Sequence, residues 1–235
     1  MDGDFEELMR KVCSKDIRVS FPAAHAYFAT ATPLRGAPPA AFIAAITSWP
    51  YEAQEALLNV AMAWSRPEMS RALLDALAVA EPDDQADVAW FLKRTLAHEH
   101  AAEAIAFARD AARPAAARSW LVEGLEALAR GGAIGWRELG SLVEELIVEP
   151  AAQLRYRVPG LVAALDWRQE SRLILERALR DSEVDVIAAA AHVLATHPED
   201  ARQLDHELLA ALRRHGNVRV RTAIQRLDEA VSQVD

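Results

Sequence analysis

The sequence predicts an all-α protein: an α-solenoid of about six helical hairpins with capping helices. Three observations carry this reading. Pro50, Pro82 and Pro114 each open a helix-like run, at spacings of 32 (82 − 50) and 32 (114 − 82), and Pro150, Ser182 and Gly216 open further runs after 36, 32 and 34 residues. Self-similarity at such a period marks stacked helical hairpins, each too small to bury its own apolar face. Apolar residues recur at spacings of three and four, as in Leu73, Leu74, Leu77 and Ala80, in Leu121, Leu125 and Leu128, and in Leu142, Val143, Leu146 and Ile147. That spacing is helical. No long alternating β-branched run competes with it; the pairs Val184/Val186 and Val218/Val220 each open an alanine-rich helical stretch.

In chain order, residues 4–13 are expected to form a capping helix and 20–31 a second helix, followed by a loop over 32–36. The first helices of the hairpins are expected near 38–47, 68–80, 99–112, 136–148, 168–180 and 200–214. Their partners are expected near 50–64, 82–97, 114–130, 150–165, 182–196 and 217–231. Proline near each partner's start is tolerated because its missing N–H would be unpaired there. Ser65-Arg66-Pro67-Glu68 reads as a capping box, with Ser141-Leu142-Val143-Glu144 a weaker instance and Asp200 a related start. Gly131-Gly132 and Gly216 follow Arg130 and His215, where a left-handed helix end favours glycine and the last turn favours a cation. Pro159-Gly160 falls midway through the partner helix 150–165. Proline inside a helix costs about 3 kcal/mol, so a kink at Val158 is expected, read as a bend in the stack.

The 235 residues are 52% hydrophobic and 26% charged, an ordinary balance for a chain with a sizeable core. One continuous array over 1–235 is expected, with an N-terminal cap over 1–37, divergent repeats over 38–166 and the best-matching repeats over 167–231. The first residues are acidic where a secretory leader would be basic, and no run of 18 apolar residues occurs. Cys13 is the only cysteine, which excludes an internal disulfide and a multi-cysteine zinc site. Cytoplasmic residence is the default expectation. Net charge is −9 and uneven: residues 51–150 hold 9 Lys+Arg against 17 Asp+Glu, whereas 201–235 hold 6 against 5. An acidic middle repels nucleic acid and anionic membrane and attracts a basic partner.

Two stretches carry a family resemblance. Residues 181–194 (DSEVDVIAAAAHVL) and 216–227 (GNVRVRTAIQRL) align with Val186/Val220, Ala189/Ala223 and Val193/Leu227 each 34 apart. Both resemble the second helix of a HEAT-like repeat, of the short phycobilisome-lyase type. Arg219 fits the family's arginine after the valine; Asp185 does not. The resemblance covers 167–231 by signature and 38–166 by period only. It implies an α-solenoid that binds proteins, and it transfers no catalytic residue.

Candidate chemistry is sparse. His98, Glu99, His100 and Glu103 form the densest ligand-capable cluster. On a regular helix His98 lies about 200° from His100, so both cannot reach one metal, and no metal or other cofactor is expected. His192 is expected to be partly buried and bonded to backbone. Asp205, His206, Glu207 and His215 read as charged surface. Arg155, Arg157, Arg168 and Arg172 surround the predicted kink, and Arg213, Arg214, Arg219, Arg221 and Arg226 form a second basic group. Of the six tryptophans, Trp49 precedes a helix-opening proline, while Trp64, Trp90 and Trp120 fall inside partner helices.

The favoured expectation is a non-enzymatic scaffold or adaptor, of the kind that includes immunity-type inhibitors, binding another protein with a basic surface along its concave face. Its expected contact residues are Glu52, Glu55, Asn59, Asp83, Asp84, Asp87, Trp90 and Glu123, with Arg155, Arg157, Arg219 and Arg221 at the far end. Two alternatives stand beside it: a nucleic-acid-binding or DNA-glycosylase-like protein using the arginine-rich half, and an assembly or chromophore-attachment helper of the lyase-repeat type. No membrane is expected as partner, and a monomer is the default state.

Overall fold

A computed structural model describes residues 2–14, 16–30, 34, 36–48 and 51–233. It is all-helical, and no strand occurs among the described residues; an isolated bridge pairs Leu34 with Trp64. The chain divides into two compact units, Met1–Leu128 and Ala129–Asp235.

The first unit holds α1 (Asp2–Val12), α2 (Ile17–Thr30), α3 (Ala40–Ser48), α4 (Tyr51–Ala61), α5 (Arg66–Val79), α6 (Pro82–Thr95), a 3₁₀ turn at His98–His100, α7 (Ala101–Arg109) and α8 (Ala115–Arg130), in whose last turn the division falls. Helices α5 and α6 form a hairpin across two residues, and α4 lies against α6 as α3 lies against α5. Phe42, Ile46, Leu57, Met69, Leu73, Leu77, Phe91 and Leu92 are fully enclosed between these helices.

The second unit holds α9 (Trp136–Leu146), α10 (Ala152–Arg155), α11 (Arg157–Ala163), α12 (Gln169–Ala178), α13 (Val184–Leu194), α14 (Pro198–Ala201), α15 (His206–Arg213) and α16 (Val218–Ser232). Here α12 is beside α13 and α15 beside α16, while α11 touches α13 and α13 touches α16. Leu139, Leu142, Leu175, Ile187 and Ile224 fill the seams. No helix among the described residues is long and apolar enough to cross a membrane.

The repeat markers stand where the helices begin. Pro82 is the first residue of α6, and Pro114, Pro150, Ser182 and Gly216 stand one or two residues before α8, α10, α13 and α16. Trp49 and Pro50 lie outside the described residues. The Ser65 hydroxyl accepts from the Glu68 amide at 3.4 Å, half of the predicted box. The other half differs: the Glu68 carboxylate takes the Ser65 hydroxyl proton and the Gly36 amide, 32 residues back.

Four expectations are corrected. The helix over 150–165 is two helices divided at Tyr156, so Pro159 is the third residue of α11. Its missing N–H falls in a first turn, where no partner is needed, and the penalty of an interior proline is avoided. The helix expected from 200 begins at His206, because Asp205 caps it by accepting the Glu207 and Leu208 amides at 2.9 and 3.4 Å, and Asp200 lies within the short α14. Ser141 lies inside α9. Gly132 has φ +70°, as a left-handed helix end requires, whereas Gly216 does not adopt positive φ; there the Asn217 side chain caps α16 instead, accepting the Arg219 amide at 2.8 Å.

Candidate functional site

The acidic residues expected to contact a partner lie on α4 and α6, with Glu123 on α8. Gln54, buried on α4, hydrogen-bonds the Asp87 carboxylate on α6 and holds the two helices in register. Asp83 and Asp84 occupy the first turn of α6, where the positive end of the helix dipole favours carboxylates. Glu55 and Asp83 are exposed; Asn59, Asp84 and Asp87 are half-buried. Glu52 lies on α4, with its side chain outside the described residues. Burial pushes the Asp87 carboxyl above its ordinary range; the Gln54 hydrogen bond opposes the rise and the charge of Asp84 adds to it. Among the described residues no cation forms an ion pair with Glu55, Asp83, Asp84 or Asp87.

One turn on from Asp87, Trp90 opens an aromatic cluster that sequence reasoning did not assemble. The Lys93 ammonium sits 5.2 Å from the Trp90 ring centroid and 4.2 Å from that of Trp120, and 3.6 Å from the Glu123 carboxylate on α8. Its side chain is only 11% exposed. An ammonium between two indoles and a carboxylate is held by both cation–π and ionic attraction. Gly124 eases it: a Cβ there would lie 3.1 Å from the Lys93 Cα and 3.2 Å from Leu96 Cδ2, so any larger residue would push α8 and α6 apart by a few tenths of an ångström. Trp64 differs in kind: it is buried against Phe42, at 4.8 Å between rings.

The expected basic residues of the second unit are engaged within the chain. Arg155 forms a forked bond to Asp181, at 2.6 and 3.0 Å, and also donates to the carbonyls of Glu149 and Pro150. Both side chains of the pair are largely enclosed. Arg157 is half-buried with its guanidinium 6.0 Å from the Tyr156 ring. Arg219 pairs with Asp185 at 2.6 Å, Arg213 with Asp228 at 2.7 Å, and Arg221 donates to the carbonyls of His215 and Gly216. Arg172 and Arg180 both meet Glu176, and Arg168 lies over the Trp136 ring at 5.9 Å.

Polar links within each unit step at about the repeat period. Trp136 Nε1 donates to the Asp166 carbonyl at 2.6 Å, and Trp167 Nε1 to Asp200 Oδ2 at 2.7 Å. Arg71 bonds Glu103 and, at 3.2 Å, His100 Nδ1, while His100 Nε2 donates to the Pro67 carbonyl at 3.3 Å. His100 thus faces α5, and His98 pairs with Glu99. Among the described residues no group of three or more His, Cys, Asp or Glu side chains is arranged to hold a metal. His192 corrects an expectation: it is exposed on α13, where the small Ala188 one turn before it offers no cover to the ring. His206 is exposed as well, and His215 Nδ1 accepts the Asn217 amide at 3.1 Å.

No family model matches the chain, and no curated protein matches it. Among solved structures it is similar to the crystal structure of an engineered protein determined by the Northeast Structural Genomics Consortium. The two are 14% identical over 98% of this chain and 97% of that one, with a TM-score of 0.44, a likeness too distant to carry an argument.

Proposed function

We propose that the chain is an α-solenoid of tandem helical hairpins that acts as a non-enzymatic protein-binding scaffold in the cytoplasm, docking a basic partner on the acidic surface of α4 and α6. Successive partner helices touch within each unit, α4 with α6 and α11 with α13 and α16 in turn, which is what stacked hairpins require. The HEAT-like signature over 167–231 accords with that arrangement. The observation that carries the functional reading is the missing counter-charge. Glu103, Asp181, Asp185, Asp205 and Asp228 each have an arginine, while Glu55, Asp83, Asp84 and Asp87 have none among the described residues. Uncompensated carboxylates beside Trp90 suit a partner rich in arginine or lysine. The Lys93 cluster is an example, within the chain, of the cation that such a surface accepts.

The internal pairing of Arg155, Arg213 and Arg219 supports this reading over a nucleic-acid groove, which needs cations free to meet phosphate. An adaptor or an immunity-type inhibitor of a basic effector fits the surface. The test is affinity capture from the native source with the intact chain and with a D83K/D84K/D87K variant, followed by mass spectrometry. A basic protein retained by the first and lost by the second is expected. Equal retention by both would exclude this surface.

A further inference from the structure

A groove in the other unit is lined by cationic side chains. The groove, of about 360 Å³ between α13 and α16, is lined by the small Ala188 and Ala223, by Val218 and Thr222, and by the ionisable Arg219, Arg226 and His192. Residues 34 apart in the sequence lie on its two helices. Asp185 and Arg219 are 34 residues apart (219 − 185) and form the 2.6 Å ion pair at one end. Two helical turns further along each helix stand His192 and Arg226, again 34 apart (226 − 192). This second rung has its arginine and lacks its acid.

Arg226 is distinctive for that reason. From Arg202 onward, every other arginine has an acceptor within the chain: Arg202 the Val231 carbonyl, Arg213 Asp228, Arg214 the Ala210 carbonyl, Arg219 Asp185, and Arg221 two carbonyls. Arg226 has none among the described residues, and its guanidinium lines the groove. We propose that the α13–α16 groove binds an acidic peptide segment of a partner protein, one of whose carboxylates takes the place opposite Arg226 that Asp185 takes opposite Arg219. The Asp185–Arg219 pair is the stand-in that selects a carboxylate. The small Ala188 and Ala223 leave room for the peptide backbone, and Thr222 and His192 line the same groove. This site rests on α13 and α16 alone and does not depend on the acidic surface of α4 and α6.

The test is fluorescence anisotropy of a labelled octapeptide of alternating glutamate and alanine, titrated with the intact chain at low salt. Saturable binding is expected, weakened at least about tenfold in Arg226→Gln, since one charge-assisted hydrogen bond of about 1.5 kcal/mol corresponds to a factor of ten. His192→Glu supplies the missing acid from within the chain and is expected to weaken binding as much; glutamate is a good helix former, so the helix survives it. Arg214→Gln, which removes the same charge outside the groove, is expected to bind like the unsubstituted chain. No binding by the unsubstituted chain, undiminished binding by Arg226→Gln, or equal losses in Arg214→Gln and Arg226→Gln would each overturn the proposal. Displacement of the peptide by inorganic phosphate at a concentration where acetate leaves it bound would overturn the assignment to carboxylate.

Discussion

The indole nitrogen of Trp167 donates a 2.7 Å hydrogen bond to the carboxylate of Asp200, 33 residues further on, while the His197 ring stacks on the indole at 3.5 Å and 13°. Trp136 makes the corresponding link one repeat earlier, to the Asp166 carbonyl. Trp136, the first residue of α9, is thus tied to the segment before α12, and Trp167, just before α12, to α14. Trp167→Phe keeps a ring for His197 and loses the donor. It is expected to lower the free energy of unfolding by about 1 kcal/mol, read from urea melts, and Asp200→Ala by a similar amount. An unchanged midpoint in both would mean that the link contributes nothing.

The Arg155–Asp181 ion pair is largely enclosed, with side chains 13% and 7% exposed. Burial alone would raise the Asp181 carboxyl, but the hydrogen bonds from Arg155 and the Glu183 amide outweigh it and hold the carboxyl below its ordinary value. The folded value lies below the unfolded one, so the stabilisation is present above the unfolded pKa of about 4 and is lost as pH falls through the folded value. Asp181→Asn is expected to destabilise by about 3 kcal/mol near neutrality, because it leaves an enclosed guanidinium unpaired. Its urea midpoint should also fall less steeply below about pH 4 than that of the unsubstituted chain. Parallel acid profiles would contradict the assignment.

Glycine substitutions separate close approach from open space. Gly124→Ala places a methyl group 3.1 Å from the Lys93 backbone, and forcing α8 from α6 costs about 1–3 kcal/mol, more than the 0.5–1 kcal/mol gained in helix propensity. A net loss of about 1 kcal/mol is expected, together with a change in tryptophan fluorescence as Lys93 leaves the two indoles. Gly132→Ala meets no neighbour, yet should cost about 1 kcal/mol because φ is +70°. Gly216→Ala, with open space and no positive φ, should stay within about 0.5 kcal/mol of the unsubstituted chain. Thermal melts of the three variants check the order.

Asp87 is a half-buried carboxylate whose ionisation bears on stability. Its carboxyl is raised chiefly by burial, so above its folded pKa the ionised form opposes folding, and the cost fades as pH falls through that value. Asp87→Asn is therefore expected to raise the thermal midpoint at pH 7, to leave it unchanged well below pH 4, and to weaken capture of the basic partner. A lower midpoint at pH 7 would show that the carboxylate is a structural group.

Several helix starts were legible because proline, serine or glycine stands at or just before them: Pro82 begins α6, and Ser182 and Gly216 each stand two residues before a helix. Interruptions were less legible. The division at Tyr156 and the cap at Asp205 depend on which of several suitable residues finds a free amide, and local spacing does not rank them. The acidic surface was visible as a run of carboxylates, Asp83, Asp84 and Asp87, because consecutive turns of one helix carry it. The Lys93 cluster was not, since it joins α6 to α8 through a close approach that Gly124 eases. Nor was the engagement of Arg155 and Arg219, whose acids lie 26 and 34 residues away.

The most direct test of the docking surface is stopped-flow association of the intact chain with the basic protein it retains, measured across a salt series. The account predicts a rate that falls steeply with ionic strength, and a D83K/D84K/D87K variant whose rate is lower and nearly flat across the series. Identical rates and identical salt dependence for the two proteins would contradict it.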